Sequence, residues 1–229
     1  GVDWDRGGLY LMWVLSQTDL GKVAYVWGQY DDYFKRLPEG MMMLKNITVA
    51  HDGMVKRPGQ PERPARKGRR DVDLSGYLDG TTYLPKDEKA YQAWVKAAVE
   101  RYDGDGREDM PGLKGAAKVW QVDNEPPRGR EGYADLVRIT AQAVKEADPD
   151  AKIAVGGLVP PLDGPLRRTY EKECLPILKE LKGKSIDIVD FHWFGEAGEY
   201  RHLPEAMKRI RKDLAECGFG DIPIWFAEM

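Results

Sequence analysis

Short apolar runs and amphipathic stretches alternate along this chain, and the side-chain period switches between about 2 and about 3.6 as they do. Val2, Trp4 and Arg6 share one face of a first strand, with Asp3 and Asp5 on the other. An acid on the helix-facing side of a strand is unexpected, so Asp5 has no explanation at this level. Tyr30, Tyr33, Phe34 and Leu37 have helical spacing, and Pro38-Glu39-Gly40 ends that helix. Met41 to Val49 reads as a buried strand whose methionines fill core. Residues 51–85 form a long loop. Asp87 and Glu88 open a helix with an inward stripe of Tyr91, Trp94, Val95, Ala98, Val99 and Tyr102. Val119 to Val122 is a strand, halted by Pro126-Pro127 because proline lacks an N–H and fixes φ. A helix over 132–147, a strand over 152–159 and a helix over 165–182 follow, the last interrupted near Pro176 and closed by Gly183. Next come a strand from Ile186 to Phe191 and a helix over 204–217 with Met207, Ile210, Leu214 and Cys217 inward. A last strand runs from Ile222 to Ala227. This alternation predicts βαβ units on a parallel sheet of six strands.

Size and charge narrow the picture. The chain has 229 residues, of which 42% are hydrophobic, enough for one domain with a sizeable core. A net charge of −3 gives no electrostatic case for nucleic acid or an anionic membrane. No apolar run approaches the roughly 18 residues of a membrane span. Gly1 to Arg6 reads as interior sequence and not as a signal peptide, which leaves the location open, secretion included. Cys174 and Cys217 sit on apolar helix faces and are expected as buried free thiols. Three histidines and no Cys/His cluster argue against structural zinc. Lys56 to Arg70 carries seven basic residues, three prolines and two glycines, and reads as a solvated loop over a barrel mouth. The acidic run Asp103-Gly104-Asp105-Gly106-Arg107-Glu108-Asp109 lacks EF-hand spacing and reads as a helix stop and turn. The phosphate-cradling patterns GxGxxG and GxxxxGK[ST] are both missing.

The chemistry lies at strand ends. Asn124-Glu125 follows the strand at Val122, and Glu228 follows the last strand. Two glutamates at carboxyl ends of two strands suggest paired-carboxylate chemistry, and contributions from several strand ends favour a closed barrel over an open sheet.

Trp120-Gln121-Val122-Asp123-Asn124-Glu125-Pro126, with Trp225-Phe226-Ala227-Glu228, resembles the large clan of retaining glycoside hydrolases built on a (β/α)8 TIM barrel. Asp190-Phe191-His192-Trp193-Phe194-Gly195 resembles the clan's His-x-Tyr strand end, and Gly1 to Arg6 its second strand, whose Arg contacts the nucleophile. The resemblance implies one barrel domain over residues 1–229, with strands two to seven recognisable. It implies Glu125 as general acid/base, Glu228 as nucleophile, and Arg6, Asn124, His192 and Trp193 as substrate-binding groups. A charged Glu228 would then raise the pKa of Glu125, and Arg6 would favour ionised Glu228. The partner is a carbohydrate substrate, with neither metal nor organic cofactor required. Phe194 stands where the clan commonly has a Tyr. The clan's first and eighth strands have no counterpart, so the sequence is expected to be part of a longer protein, or to self-associate or take up a complementing segment. The alternative is a non-catalytic carbohydrate-binding barrel fragment or pseudoenzyme.

Overall fold

The computed structural model describes residues 3–51, 54, 72–79, 82–126 and 131–229. Its centre is an all-parallel sheet that curls into a nearly closed α/β barrel. In chain order the strands are β1 (Trp4–Arg6), β2 (Leu11–Met12), β3 (Met42–Thr48), β4 (Ala116–Val122), β5 (Lys152–Leu158), β6 (Ile188–His192) and β7 (Ile224–Glu228). The order across the sheet is β1-β3-β4-β5-β6-β7, and β2 also pairs with β3. β1 lies against Met42–Leu44 and β2 against Ile47–Thr48, so the two are one interrupted edge. The six expected strand positions are therefore present, the first of them in two pieces. Its second piece, with the short helix α1 (Trp13–Ser16), goes beyond the sequence reading.

The alternation predicted for β1 holds. Trp4 faces inward and meets Trp225 of β7 edge-to-face at 5.6 Å, across the open side of the barrel. Leu44, Val119, Ala154 and Ile188 fill the barrel floor, with Trp225 and Ala227 packed against them. Asp5 points outward, where Tyr33 donates to it at 3.4 Å. Its charge also acts on Lys45 of β3, which is fully buried and has its ammonium 4.4 Å from the Tyr33 ring centre. An outward acid beside a buried outward lysine accounts for the unexpected Asp5.

The outer layer contains α2 (Gly28–Phe34), α3 (Glu88–Tyr102), α4 (Tyr133–Ala147), α5 (Pro165–Thr169), α6 (Leu175–Leu181) and α7 (Leu203–Glu216). Asp87 caps α3, its carboxylate accepting the Ala90 N–H. Arg101 on α3 grips Asp31 on α2 with two hydrogen bonds of 2.9 and 2.7 Å, and Phe34 stacks on Tyr102 at 4.1 Å. The break expected near Pro176 is a π-turn over Tyr170–Cys174 that joins α5 to α6. Proline removes one helical hydrogen bond and crowds the preceding turn, and one wider turn absorbs both effects.

The far end of the 51–85 loop adds Tyr77, Leu78 and Tyr83 to the main core. Its basic stretch lies outside the described residues. In the acidic turn the side chains of Asp103, Asp105 and Asp109 accept backbone N–H groups, as a turn requires. Cys174 and Cys217 are buried free thiols. Among the described residues no helix is long and apolar enough to cross a membrane.

Candidate active site

Both glutamates at the barrel mouth are placed by strand ends. β4 stops at Val122, after which Asp123 (φ +61°) and Glu125 (φ +48°) take the left-handed backbone region on either side of Asn124. Non-glycine residues there cost of order 1–3 kcal/mol each, and such strain clusters at functional sites. Two further contacts hold the turn: Asp123 accepts the Asn124 N–H at 2.8 Å, and the amide of Asn46 on β3 donates to the Asp123 carbonyl at 3.0 Å. Tyr133 ties β4 to β5, donating to Val122 O at 2.6 Å while accepting from Gly156 N at 2.9 Å.

On the far side the register of β6 and β7 slips. Phe191 pairs with Phe226, but His192 pairs with Glu228, so Ala227 is an extra residue in a β-bulge. Strict alternation would turn Phe226 out, Ala227 in and Glu228 out. The bulge re-aims Glu228 into the barrel. The Ala227 N–H freed by the slip donates to Asp190 Oδ1 at 2.8 Å.

Five of the six residues singled out from the sequence form one network, with Glu125 and Glu228 at its centre. His192 Nδ1 lies 3.4 Å from Glu125 and 3.5 Å from Glu228. A carboxylate oxygen of Glu125 and one of Glu228 lie within 4.8 Å of each other. Arg6 pairs with Glu228, donates to Asn124 Oδ1 at 2.6 Å and donates to Gln121 Oε1 at 2.9 Å. Asn124 thus reaches the network through Arg6.

Trp193 departs from the expectation that it lines the cleft. Its indole is only 5% exposed, packed with Leu162 and Ala206 in a satellite core and 4.7 Å from the Tyr200 ring. Burying so large an apolar ring outweighs leaving it open. Its neighbour Phe194 is 69% exposed.

Three residues of the site were not singled out from the sequence. Asp190 is fully buried and lies 3.0 Å from His192 Nε2, and the Gln121 amide also donates to it. Tyr10, in the break between β1 and β2, hydrogen-bonds Arg6 and feels the charges of Glu228 and Glu125; burial first, and those acids after it, raise its pKa. Tyr10 supplies a phenol at the mouth although Phe194 does not.

Burial alone would push the His192 pKa down. Hydrogen bonds to Asp190 and Glu125, with the charges of Asp190 and Glu228, outweigh it and hold the imidazole up to about 9. A cationic His192 between two glutamates, with Arg6 on the second, concentrates positive charge around Glu228. Beside this group lies a cavity of about 230 Å³ lined by Glu125, Pro126, Gly157, Val159, Thr169, Glu173, Cys174 and His192.

No protein-family model and no curated protein matches the sequence. Solved structures do match in fold. A glucosidase from Croceicoccus marinus superimposes with a TM-score of 0.56 at 17% identity, over 95% of this chain and 41% of its own. Endo-glycoceramidase II from a Rhodococcus species, solved as a lactosyl-enzyme intermediate, gives 0.53 at 15% identity, over 97% of this chain and 56% of its own. The chain thus spans about half or less of the length of these structures. What it shares with these glycoside hydrolases is the parallel α/β-barrel fold.

Proposed function

We propose that this chain carries the active site of a retaining glycoside hydrolase that cleaves β-glycosidic bonds in a polysaccharide or oligosaccharide. The observation that supports it most is the approach of Glu125 and Glu228, with carboxylate oxygens within 4.8 Å across the mouth. Retaining enzymes hold their two carboxyls about 5–5.5 Å apart, and inverting ones about 6.5–9.5 Å, to leave room for water. The structural neighbour captured as a lactosyl-enzyme intermediate agrees with a covalent route.

In the first step a Glu228 oxygen attacks the anomeric carbon while Glu125 gives its proton to the departing oxygen, and the glycosidic bond breaks. In the second step water attacks that carbon, Glu125 takes the water's proton, and the bond to Glu228 breaks. Arg6, paired with Glu228, and His192⁺, 3.5 Å from it, aim the carboxylate. Asn124, beside Arg6, is placed to meet the sugar 2-hydroxyl. Tyr10 is a phenol within the electrostatic reach of Glu228 in this scheme.

A 2-fluoro glycoside tests the reading. Mass spectrometry should find one sugar on Glu228. Binding of the sugar without label or turnover would instead support the non-catalytic carbohydrate-binding barrel, which the exposed Phe194 and the open side of the sheet favour. Glu125→Ala should slow substrates with poor leaving groups far more than activated aryl glycosides, because only the former need the proton. Equal losses on both would remove Glu125 from the acid role.

A further inference from the structure

We propose that Glu125, His192 and Glu228 together form a binding site for a divalent ion of the zinc class, and that its occupation blocks the hydrolysis proposed above. The blocking depends on that hydrolase reading, but ion binding does not.

The geometry is close to a coordination shell. His192 Nδ1 and one oxygen from each glutamate all lie within 4.8 Å of one another. Nδ1 stands 3.4 Å from Glu125 Oε1 and 3.5 Å from Glu228 Oε1. Ligand atoms about 2.0–2.2 Å from a tetrahedral ion stand about 3.3–3.5 Å apart. Two edges of the tetrahedron are therefore in place. The third, between two carboxylates that repel each other, shortens once a cation sits between them. The cavity beside Glu125 and His192 leaves room for water or a sugar hydroxyl to complete the shell.

The surroundings of the imidazole suit the same task. Metal-binding histidines commonly give their second N–H to a carboxylate, which sets the tautomer and the ring orientation. Asp190 stands 3.0 Å from Nε2 and is itself held by Gln121 and the Ala227 N–H. An arriving ion displaces the Nδ1 proton to solvent, and with Nε2–H still donated to Asp190 the freed Nδ1 lone pair points at both glutamates. One imidazole and two carboxylates favour zinc over calcium and magnesium, which take oxygen ligands. Arg6 on Glu228 repels a dication, so affinity falls below that of a closed four-ligand site. A seated ion ties up the Glu228 lone pair and leaves Glu125 unable to carry a proton.

Calorimetric titration of the whole protein with zinc chloride should find one site per chain, and magnesium chloride should give no comparable binding. His192→Ala, and separately Glu228→Gln, should weaken zinc binding about tenfold or more. Asp190→Asn should weaken it by about 10–100-fold, as loss of an orienting partner does. Zinc should inhibit hydrolysis of an aryl glycoside in competition with substrate, and a chelator should restore it. Zinc that fails to bind, or binds equally to the wild type, His192→Ala and Glu228→Gln, overturns the site. Full hydrolysis with that site saturated overturns the blocking. A protein that binds zinc through these residues yet cleaves no glycoside keeps the ion site and loses the hydrolase reading.

Discussion

A methyl group on Gly157 would stand 2.3 Å from His192 Nδ1, at a φ of +35° that side chains rarely adopt. The imidazole can sit between Glu125 and Glu228 only because that position is bare. Gly157→Ala should therefore displace His192, and a misplacement of about 1 Å is enough to cost about 100-fold in rate. The check is kcat on an aryl glycoside; unchanged kcat would mean that His192 is not held by this packing. Asp190 is the second such point, with Gln121, His192 and the Ala227 N–H all turned to one fully buried carboxylate. Asp190→Ala leaves those donors unpaired and should lower unfolding stability by about 3–5 kcal/mol in a urea titration. Part of this was legible in the sequence. Glu125 and Glu228 stood out because prolines and an apolar run marked where their strands end. Asp190 left a trace too, an acid inside an otherwise apolar strand, but a lone residue does not name its partners. Tyr10 left none, since a tyrosine in an irregular segment gains its meaning only when the sheet curls.

At the scale of elements, β3 carries a cost that its neighbours absorb. Lys45 is fully buried, and its ammonium has no hydrogen-bond partner among the described residues; the faces of Tyr33 and Phe34 and the charge of Asp5 are its surroundings. Burial is the main cause that lowers its pKa to about 7. Because the folded value is depressed, the folded chain binds fewer protons than the unfolded one between about 7 and the ordinary 10.5. Stability should rise with pH across that window, and the contribution is lost as pH falls through 7. Lys45→Met should flatten this slope and add about 1–3 kcal/mol at pH 7. Chemical denaturation of both proteins at pH 7 and pH 9.5 measures it, and a wild-type slope that survives the substitution would refute the assignment. Helices and strands were the most readable level of this chain, since Tyr91 through Tyr102 and Leu203 through Glu216 carry clear periodic stripes. The π-turn before Pro176 was visible only as an interruption, because sequence shows where a helix fails and not how the backbone recovers. Trp193 misled for a related reason: an aromatic at a strand end can face a sugar or a satellite core, and Leu162 and Ala206 decide which.

At the scale of the whole molecule the barrel has an open side. Among the described residues the outer edges of β1 and β7 have no strand partner, and Trp4 against Trp225 is a contact between side chains only. Amide hydrogen exchange should therefore be slowest in β4 and β5, which are paired on both sides, and fastest among strands in β1 and β7. Uniform protection across the sheet would show the edges to be covered. We further propose that unpaired parallel edges let the chain associate with itself or take up a complementing segment. Sedimentation velocity over a range of concentrations should show species beyond the monomer, and a strict monomer throughout would argue against self-association. The bulge at Ala227 carries the last consequence. Whether a strand residue belongs to the cavity or to the outer shell is a matter of odd or even count from the strand's start. One surplus residue changes that parity for everything after it. The fate of Glu228 is thus decided by counting: the same residues in unbroken alternation, without the bulge, would keep every residue type of the site in the chain and turn the acid to face the helices. Two sequences with the same strand-end motif could then share a barrel and differ wholly in chemistry, separated by one register slip.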